Sequence, residues 1–549
     1  MSSDEVVFVP LGGAGEIGMN MSLYGHDGHW LMIDMGIAFG DDTTPGIDVM
    51  TPDPAFALDQ LDRLSGLVVT HAHEDHLGAI PYLWRKIRCP IYATPFACGL
   101  LRRKLEDVDL LDQVDLMEIP VAGSVDIGPF AVDLIPAAHS VPEANILSIR
   151  TGAGIIVHAT DWKIDPKPLV GWVTDEDALR SLGDEGVLAL VCDSTNVFIE
   201  GDAGSEAALR KSLIEIIGKC EGRVAVASFA SNVARVATIN RAAVETGRHP
   251  TLVGRSMWRS VDIAKECGYL GDIEPFVPEQ EIGFIPPEKV IMGVTGSQGE
   301  PRSALARIAA GAHPNASLEP GDTVIFSSRE IPGNELAIGK IQNQLARMGV
   351  NVITERDGFV HVSGHPGRKE LMEMYQWIRP QILVPIHGEL RHLQEQKRFA
   401  DKCQIPQTQI AENGTMITLS KAGPQVVDHV ATGRLAVDGR RLVPIDGAVI
   451  RERNRIRFNG AAVATVVMDA RGRLVSDPQL TVQGVLEGDA EGDMWEDAVD
   501  AVIDAINDLR ASQRCDDDAV AEAARIAVRR ALRESVGKRP VTDVHVVRI

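Results

Sequence analysis

The segment His71-Ala72-His73-Glu74-Asp75-His76 decides how the rest of the chain is interpreted. It directly follows residues 66–70, a short apolar run that is typical of a buried strand. Imidazoles and carboxylates so close together suit a tight turn that points several ligand atoms at one place. Imidazole and carboxylate without thiolate favour Zn²⁺ or Mn²⁺ in a site that keeps one position open for water. The sequence therefore predicts a catalytic metal site at the end of this strand.

Further ligands are expected at the ends of other strands, because one metal ion needs three or more ligands. Taken alone, each candidate could equally be a core histidine or a loop cap. Together with the 71–76 segment, they indicate side chains that converge at one edge of a rigid sheet. The candidates are Asp34 after residues 30–33, His139 after 132–135, Asp161 after 155–158, and His387 after 381–386.

The periodicity of apolar residues changes along the chain and predicts an α/β protein of several domains. The first part contains short apolar runs that end at Gly, Asp, Pro or His, which is typical of strands that lead into loops. From residue 206, amphipathic helices alternate with buried strands, which indicates an inserted α/β domain with a parallel sheet. The first predicted domain covers 1–205 and a return segment at 356–424, and the insertion covers 206–355. Strands and a linker are predicted over 425–460. A small α/β domain is predicted over 461–549, with acidic helices near 494–511 and 517–537.

Composition indicates a soluble, cytoplasmic protein. No run reaches the ~18 apolar residues of a membrane span, and the acidic start lacks the order of a signal peptide. The seven cysteines contain no CxxC pair, so we expect them to be reduced. The net charge of −23 argues at first against a nucleic-acid partner but does not exclude one, because basic residues can line a groove while metal ions neutralise the carboxylates of the site.

The order of the candidate ligands resembles the motif series of the metallo-β-lactamase superfamily. Three further segments resemble its β-CASP nucleases: Val-Cys-Asp-Ser-Thr-Asn at 191–196, His-Val-Ser-Gly-His at 361–365, and Pro-Ile-His-Gly-Glu at 385–389. Four further features resemble the bacterial ribonuclease J family. They are residues 12–18, 229–232 and 331–335 and the small C-terminal domain. The resemblance implies a metallo-β-lactamase αββα sandwich with an inserted β-CASP α/β domain and a small C-terminal α/β domain.

The resemblance also implies two metal ions, Zn²⁺ or Mn²⁺, that activate a water for attack on phosphorus. Asp34 would accept a hydrogen bond that orients a ligand. Asp193 and His365 would supply the proton that the departing 3′-oxygen needs. The implied ligands are His71, His73 and His139 for one ion and Asp75, His76 and His387 for the other, with Asp161 between them.

The resemblance further implies that residues 361–365 face a pocket for the 5′-monophosphate of the substrate. Hydroxyl groups, backbone N–H groups and an imidazole are suitable donors to phosphate oxygens. Ser231 and Asn232 can alternatively be read as the N-cap of the helix that begins at Val233, and both readings can hold together. The residues implied for the pocket are Ser231, Asn232, His361, Val362, Ser363, Gly364 and His365.

The resulting prediction is a ribonuclease that degrades and processes mRNA and rRNA from the 5′ end, prefers 5′-monophosphate ends and also cuts internally. The alternative is a β-CASP endonuclease without dependence on the 5′ end, or one that acts on DNA, although His387 favours RNA. Hydrolysis of a thioester or lactam conflicts with the long insertion, and a purely scaffolding role conflicts with the full ligand set. The expected partners are RNA, further copies in a homodimer or homotetramer through the C-terminal domain, and RNA-decay proteins.

Overall fold

The structure is a computed structural model that describes residues 3–331, 333–487 and 492–549. Pro332, which belongs to the 331–335 motif, lies outside the described residues. Within this described part, no helix is both long and apolar enough to cross a membrane. The chain separates into two units. The first consists of Met1–Ala38 and Thr51–Gly433, and the second consists of Phe39–Met50 and Arg434–Ile549.

Apolar strands of two sheets form the core of the first unit. Phe8 and Tyr24 from one sheet and Leu134 and Leu147 from the other belong to one hydrophobic cluster. The eight-stranded sheet has the order Gln425–His429, Thr415–Leu419, Val6–Gly12, Met21–His26, His29–Ile33, Leu64–Val68, Ile91–Ala93, Leu116–Glu118. The seven-stranded sheet has the order Ser124–Ile127, Phe130–Ala137, Ala144–Thr151, Gly154–Ala159, Val187–Asp193, Ile382–Ile386, Gln407–Thr408.

Helices complete the layers of this sandwich, and the predicted αββα fold is confirmed. Leu179 and Leu371, on two different helices, pack with Leu190 on the side of the seven-stranded sheet that faces away from the other sheet. A two-stranded pair, Ala14–Gly15 with Gly388–Glu389, joins the first glycine-rich loop to the segment after His387. The helices are Ala55–Leu58, Glu74–Leu77, Ile80–Ile87, Pro95–Glu106, Glu176–Glu185, Arg368–Ile378 and Leu390–Lys402, with 3₁₀ turns at Leu61–Arg63 and Leu111–Gln113.

The inserted segment forms a five-stranded sheet in which all neighbouring strands run parallel, as its alternating pattern predicts. Helices cover both faces, because alternate strand residues belong to two separate hydrophobic clusters. The strand order is His249–Val253, Val290–Val294, Val224–Ala227, Thr323–Phe326, Asn351–Ile353. The helices are Glu206–Ile217, Val233–Thr246, Arg255–Glu266, Ala304–Ala309 and Glu335–Arg347, with 3₁₀ turns at Glu279–Phe284 and Pro287–Lys289.

The second unit contains two small sheets and the last helices of the chain. Helices Gly492–Asn507 and Asp517–Val536 pack on one face of a three-stranded sheet, and the short helix Ala511–Arg514 lies between them in sequence. The segment 425–460, assigned to a linker by the sequence, is ordered and includes the helix Ala448–Asn459, which its weak periodicity did not reveal. The three-stranded sheet has the order Gln479–Gln483, Ala461–Met468, Val541–Arg548. The four-stranded sheet has the order Arg441–Pro444, Arg434–Asp438, Val49–Pro52, Ala38–Phe39.

Parallel strand pairs explain how distant polar residues meet. His29–Ile33 runs parallel to Leu64–Val68 in the first sheet. In the second sheet, Gly154–Ala159, Val187–Asp193 and Ile382–Ile386 are parallel neighbours. The carboxyl ends of parallel strands lie at the same sheet edge, and ligands typically bind outside such ends. The residues that follow these strands are therefore brought together at one edge of the sandwich.

A buried ion pair supports the segment that leads from the inserted domain to residues 361–365. The guanidinium of Arg235 is fully buried and lies 3.3 Å from Glu206 Oε1. It also donates to the carbonyl oxygen of Ser327 at 2.6 Å. The hydroxyl of Ser327 in turn donates to the carbonyl oxygen of Val360 at 2.6 Å. This network ties two helices and a strand end to the residue directly before His361.

We predict that Arg235→Met destabilises the protein by about 3–5 kcal/mol, because it leaves the Glu206 carboxylate buried without its partner. The measurement is the midpoint of urea unfolding of the full chain. The double variant Arg235→Met/Glu206→Gln is the matched control and should recover part of the loss, since it removes the unpaired charge. An unchanged midpoint in the single variant would contradict this account of the network.

Candidate active site

Two groups of histidine and aspartate side chains meet at the sheet edge, and Asp161 belongs to both. In each group the potential ligand atoms lie within 4.8 Å of one another. Asp193 and His365 join a third, overlapping group with Asp161 and His387. The structure thus brings together the seven residues that the sequence singled out as ligands: His71, His73, His139 and Asp161 on one side, and Asp75, His76, Asp161 and His387 on the other.

Asp161 presents one oxygen to each group. Its Oδ2 lies 3.6 Å from His71 Nε2 and 3.5 Å from His139 Nε2. Its Oδ1 lies 3.3 Å from His76 Nε2 and 3.6 Å from His387 Nε2. This Oδ1 is buried and has no hydrogen-bond partner among the described residues. A buried carboxylate oxygen without a donor is costly, and a cation on each side would satisfy it.

The three histidines of the first group point their ring nitrogens at one another. His73 Nδ1 lies 3.2 Å from His71 Nε2 and 3.0 Å from His139 Nε2. Burial lowers the pKa of His73 to about 4 and holds the pKa values of His71 and His139 well below their usual value. The rings are therefore neutral, and their lone pairs converge on a common point. Neutral imidazoles with converging lone pairs fit a metal ion such as Zn²⁺.

The second group carries more negative charge. Asp75 Oδ2 lies 3.3 Å from His387 Nε2 and 3.6 Å from His76 Nε2. Burial would lower the pKa of His76, but Asp161, Asp75 and Asp34 outweigh it and hold this pKa well above its usual value. These three carboxylates concentrate negative charge around the His76 ring, and a divalent cation would balance it. The donor set of this group also fits Zn²⁺ or Mn²⁺.

Each histidine of the two groups is held through the ring nitrogen that faces away from the others. The Asp34 carboxylate accepts from His76 Nδ1 at 2.7 Å, as the sequence predicts for an orienting residue. Such contacts set the tautomer and the ring orientation of a ligand. The remaining four contacts are His71 Nδ1 with Thr70 Oγ1 at 3.0 Å, His73 Nε2 with Ser140 Oγ at 3.1 Å, His139 Nδ1 with the Gly364 carbonyl at 2.7 Å, and His387 Nδ1 with Thr195 Oγ1 at 2.7 Å.

Sequence reasoning missed Thr70, Ser140 and Thr195 in these orienting positions. Ser140 directly follows a predicted ligand, and Thr70 directly precedes the 71–76 segment. Thr195 lies two residues after Asp193 in a motif that the sequence analysis quoted. Adjacency to a ligand was the available signal, but a hydroxyl next to a histidine is too common in loops to identify a partner without its geometry.

Close backbone approaches require glycine at two positions. A Cβ on Gly36 would lie 1.7 Å from the carbonyl oxygen of Asp75, and a Cβ on Gly364 would lie 2.4 Å from His139 Cε1. Asp34 and His387 adopt positive φ values of 61° and 51°, which are uncommon for residues other than glycine. Tertiary contacts therefore impose the local geometry, at the cost of backbone strain.

His365 and Asp193 form a hydrogen-bonded pair beside the second group. His365 Nδ1 lies 2.8 Å from Asp193 Oδ2, and Asp193 is fully buried. Burial would lower the pKa of His365, but Asp193, followed by Asp161, raises this pKa to about 9. The two residues predicted to supply a proton are thus in contact with each other and close to Asp161 and His387.

The predicted phosphate pocket contains a denser polar network than the sequence indicated. Ser363 Oγ accepts from Asn196 Nδ2 at 2.7 Å, and Asn196 Oδ1 accepts from Arg329 at 2.9 Å. Burial, followed by the charges of Arg235 and Arg329, holds the pKa of His361 well below its usual value. His361 Nδ1 is buried and has no hydrogen-bond partner among the described residues. Asn196 and Arg329 thus belong to the hydrogen-bond network of the predicted pocket residues, and sequence reasoning missed both.

Two residues of the predicted pocket have structural contacts of their own. Val362 is buried in the hydrophobic cluster of the inserted domain, so only its backbone can face a phosphate. Asn232 is the N-cap of the helix Val233–Thr246, because its side chain accepts from the backbone N–H of Arg235. The backbone N–H of Val233 donates to the carbonyl of Ser231 at 2.9 Å. The helix-cap alternative for Asn232 is therefore confirmed.

Comparison with known proteins gives matches along most of the chain. Four family models match: "Beta-lactamase superfamily domain" at 29–179, "Ribonuclease J, beta-CASP domain" at 221–345, "Zn-dependent metallo-hydrolase RNA specificity domain" at 349–405, and "Ribonuclease J C-terminal domain" at 448–549. A solved structure from Enterococcus faecalis, of a protein described as of unknown function, superposes with a TM-score of 0.52 at 14% identity and covers 76% of this chain and 100% of its own. That likeness supports the fold alone.

Relatives named ribonuclease J are similar over nearly the whole chain. The protein of Sinorhizobium meliloti is 43% identical over 100% of this chain and 98% of its own length. The protein of Mycolicibacterium smegmatis is 38% identical over 87% of this chain and 86% of its own length. The protein of Helicobacter pylori is 33% identical over 85% of this chain and 68% of its own length.

We predict that Gly364→Ala weakens metal binding at the group of His71, His73 and His139, because the new methyl group displaces the His139 ring. Losing the position of an orienting partner typically costs about 10- to 100-fold in metal affinity. The measurement is metal content after dialysis against a graded chelator. Gly358→Ala is the matched control, since a Cβ there meets only Ile216 Cδ1 at 3.4 Å. Equal metal affinity in both variants would show that Gly364 does not position His139.

Proposed function

The chain belongs to the ribonuclease J family and is a ribonuclease of the metallo-β-lactamase fold, and we propose that it uses two divalent metal ions to degrade RNA. We further propose that it removes nucleotides stepwise from the 5′ end, prefers a 5′-monophosphate, and also cuts internally in mRNA and rRNA. The observation that carries this proposal is the position of Asp161 between two groups of neutral and acidic donors. A shared carboxylate of this kind would suit two neighbouring divalent ions.

The proposed ligands are the seven residues of the two groups, with Zn²⁺ or Mn²⁺ as the ions. When bound, the ions would supply an activated water and neutralise charge on the phosphoryl oxygens. The chain's own residues then orient the ligands: Asp34, Thr70, Ser140, Thr195 and the Gly364 carbonyl each hold one imidazole by its far nitrogen.

We assign Asp193 and His365 to proton supply for the departing 3′-oxygen. Asp193 accepts from His365 Nδ1 at 2.8 Å, which leaves Nε2 as the free position on the ring. The carboxylate is buried, so it keeps the imidazole in one orientation. General acids of this type accelerate a reaction by about 10²–10⁴-fold.

The preference for a 5′-monophosphate rests on the polar network around Ser363. The Ser363 hydroxyl, the His361 imidazole and the Arg329 guanidinium are donors that suit a terminal phosphate. Ser231 is a further donor, at the start of a helix whose N-terminus favours anions. Gly364 links this network to His139, so a phosphate held by Ser363 would lie close to the first metal group.

The second candidate function is internal cleavage without dependence on the 5′ end. The specific observation that favours it is Asn196, whose amide nitrogen contacts both Ser363 Oγ and the His365 carbonyl, at 2.7 and 2.9 Å. In that reading, Ser363 belongs to the frame that positions His365 rather than to a phosphate pocket.

We also propose self-association through the C-terminal domain, as a homodimer or homotetramer in the cytoplasm. One face of its three-stranded sheet packs on two helices. The opposite face presents Val463, Val467 and Val547, and Val547 is 43% exposed. A second copy would cover these valines. Partners in an RNA-decay assembly remain an expectation from the resemblance.

We predict that His73→Ala or Asp75→Ala each abolishes RNA cleavage and lowers the metal content from about two ions per chain to about one. Activity should fall by more than the factor of about 10 to 100 that is typical when only an orienting partner of a ligand is removed. The measurements are elemental analysis and cleavage of end-labelled RNA. His429→Ala, at an exposed strand position, is the control and should keep both properties. Cleavage at the wild-type rate by chelator-treated, metal-free protein would refute metal dependence.

We predict that Ser363→Leu lowers kcat/KM for linear RNA with a 5′-monophosphate by about 10- to 150-fold. This factor corresponds to the loss of one hydrogen bond to a charged group. Cleavage of a circular RNA should change much less, because it presents no 5′ end. Ser363→Thr keeps the hydroxyl and serves as the control, and Ser231→Ala should have a milder effect. Equal losses on linear and circular RNA would favour the endonuclease alternative.

A further inference from the structure

More than half of the residues of the helix Ala448–Asn459 in the second unit are exposed. Of its 12 residues, Ile450 alone is buried. The helix contains four arginines and one glutamate, in a chain whose net charge is −23. A short helix that buries so little apolar surface gains little stability from packing. This combination of positive charge and exposure suggests that the helix has a binding role.

The arginines on one side of the helix are used within the second unit. Arg453 Nη2 lies 2.8 Å from Asp438 Oδ1. Arg457, four residues later, donates to the backbone carbonyl of Asp42 and lies 3.8 Å from its carboxylate. Because residues four apart share a helix face, these two arginines mark, with Ile450, the side that attaches the helix to its own unit.

The opposite side carries Arg451, Arg455 and Phe458, which are spaced i, i+4 and i+7 and therefore share a face. All three are exposed, and Phe458 is 66% exposed. Among the described residues, the Arg455 guanidinium has no hydrogen bond or ion pair, and the Arg451 guanidinium donates only to the backbone carbonyl of Asp446. Both guanidinium groups thus keep donors free for an anion.

Further positive charge lies next to the aromatic ring. The Arg457 guanidinium is 5.9 Å from the centroid of the Phe458 ring. Lys538 Nζ donates to the carbonyl of Phe458 at 2.8 Å. An exposed aromatic ring next to basic side chains is typical of sites for single-stranded nucleic acid. The bases stack on the ring, and the basic side chains contact the phosphates.

We propose that Arg451, Arg455 and Phe458 form an accessory binding face for single-stranded RNA, a proposal that rests on the proposed function. The arginines contact neighbouring phosphates, since their Cβ atoms are about 5–6 Å apart on the helix, and Phe458 stacks on a base. A second copy of the chain is a poorer occupant. In a twofold contact through this face, arginines would oppose arginines, and like charges in an interface are unfavourable.

The test compares Arg451→Gln/Arg455→Gln with Arg530→Gln/Arg533→Gln in the full chain. The control pair removes the same charge from exposed positions of the helix Asp517–Val536. Binding of a long, unstructured, fluorescent RNA is measured by anisotropy in chelator at several salt concentrations. Losing two phosphate contacts should reduce the slope of log K against log salt by about 1.4 and raise Kd several-fold, while the control keeps the wild-type slope.

Phe458→Ala should raise Kd by about 5- to 150-fold without changing the salt slope, because stacking involves no counterion release. Glutamine preserves helix propensity, and circular dichroism checks that each variant is folded. Values of Kd and slope equal to those of the control pair would overturn the proposal. A changed association state in light scattering with unchanged Kd would also overturn it, in favour of an interface between copies. If the wild-type chain neither bound nor cut RNA, the proposed function itself would fail and this proposal with it.

Discussion

A buried carboxylate between two sets of histidines is the constraint on which this structure depends. Asp161 offers one oxygen to His71 and His139 and the other to His76 and His387, and Oδ1 has no donor in the described chain. Burying such a group is unfavourable unless charge and hydrogen bonding are compensated. The sandwich meets that cost by bringing parallel strands of both sheets to one edge, where a cation can bind on each side.

Residues 361–365 connect the parts of the site. Ser363 belongs to the polar network with Asn196 and Arg329, the Gly364 carbonyl orients His139, and His365 pairs with Asp193. The segment is held in turn by Ser327 and Arg235 of the inserted domain. A change in the packing of the inserted domain can therefore reach both the proposed metal ligands and the proposed phosphate pocket.

Much of this arrangement could be predicted, because the signals were local. The 71–76 segment contains several ligand types in a short space. The alternation of helices and strands after residue 206 is clear in elements such as the helix Val233–Thr246 and the strand Val290–Val294. The helix Ala448–Asn459 could not be predicted in this way. Arginine at every second position from 451 to 457 interrupts the apolar spacing that indicates a helix, and Ile450 is the only buried residue of this helix. Asn196 and Arg329 were missed because their partners lie more than a hundred residues away in sequence.

The sequence by itself determined the types of donor, their positions at strand ends and the resemblance that implies two metal ions. These follow from residue identity and short spacing, which do not depend on distant contacts. Tertiary structure alone decided which nitrogen of each histidine faces the centre. The other nitrogen is held by Asp34, Thr70, Ser140, Thr195 or the Gly364 carbonyl. It also decided that Val362 packs in the core, since hydrogen bonds and burial depend on distances that no sequence pattern encodes.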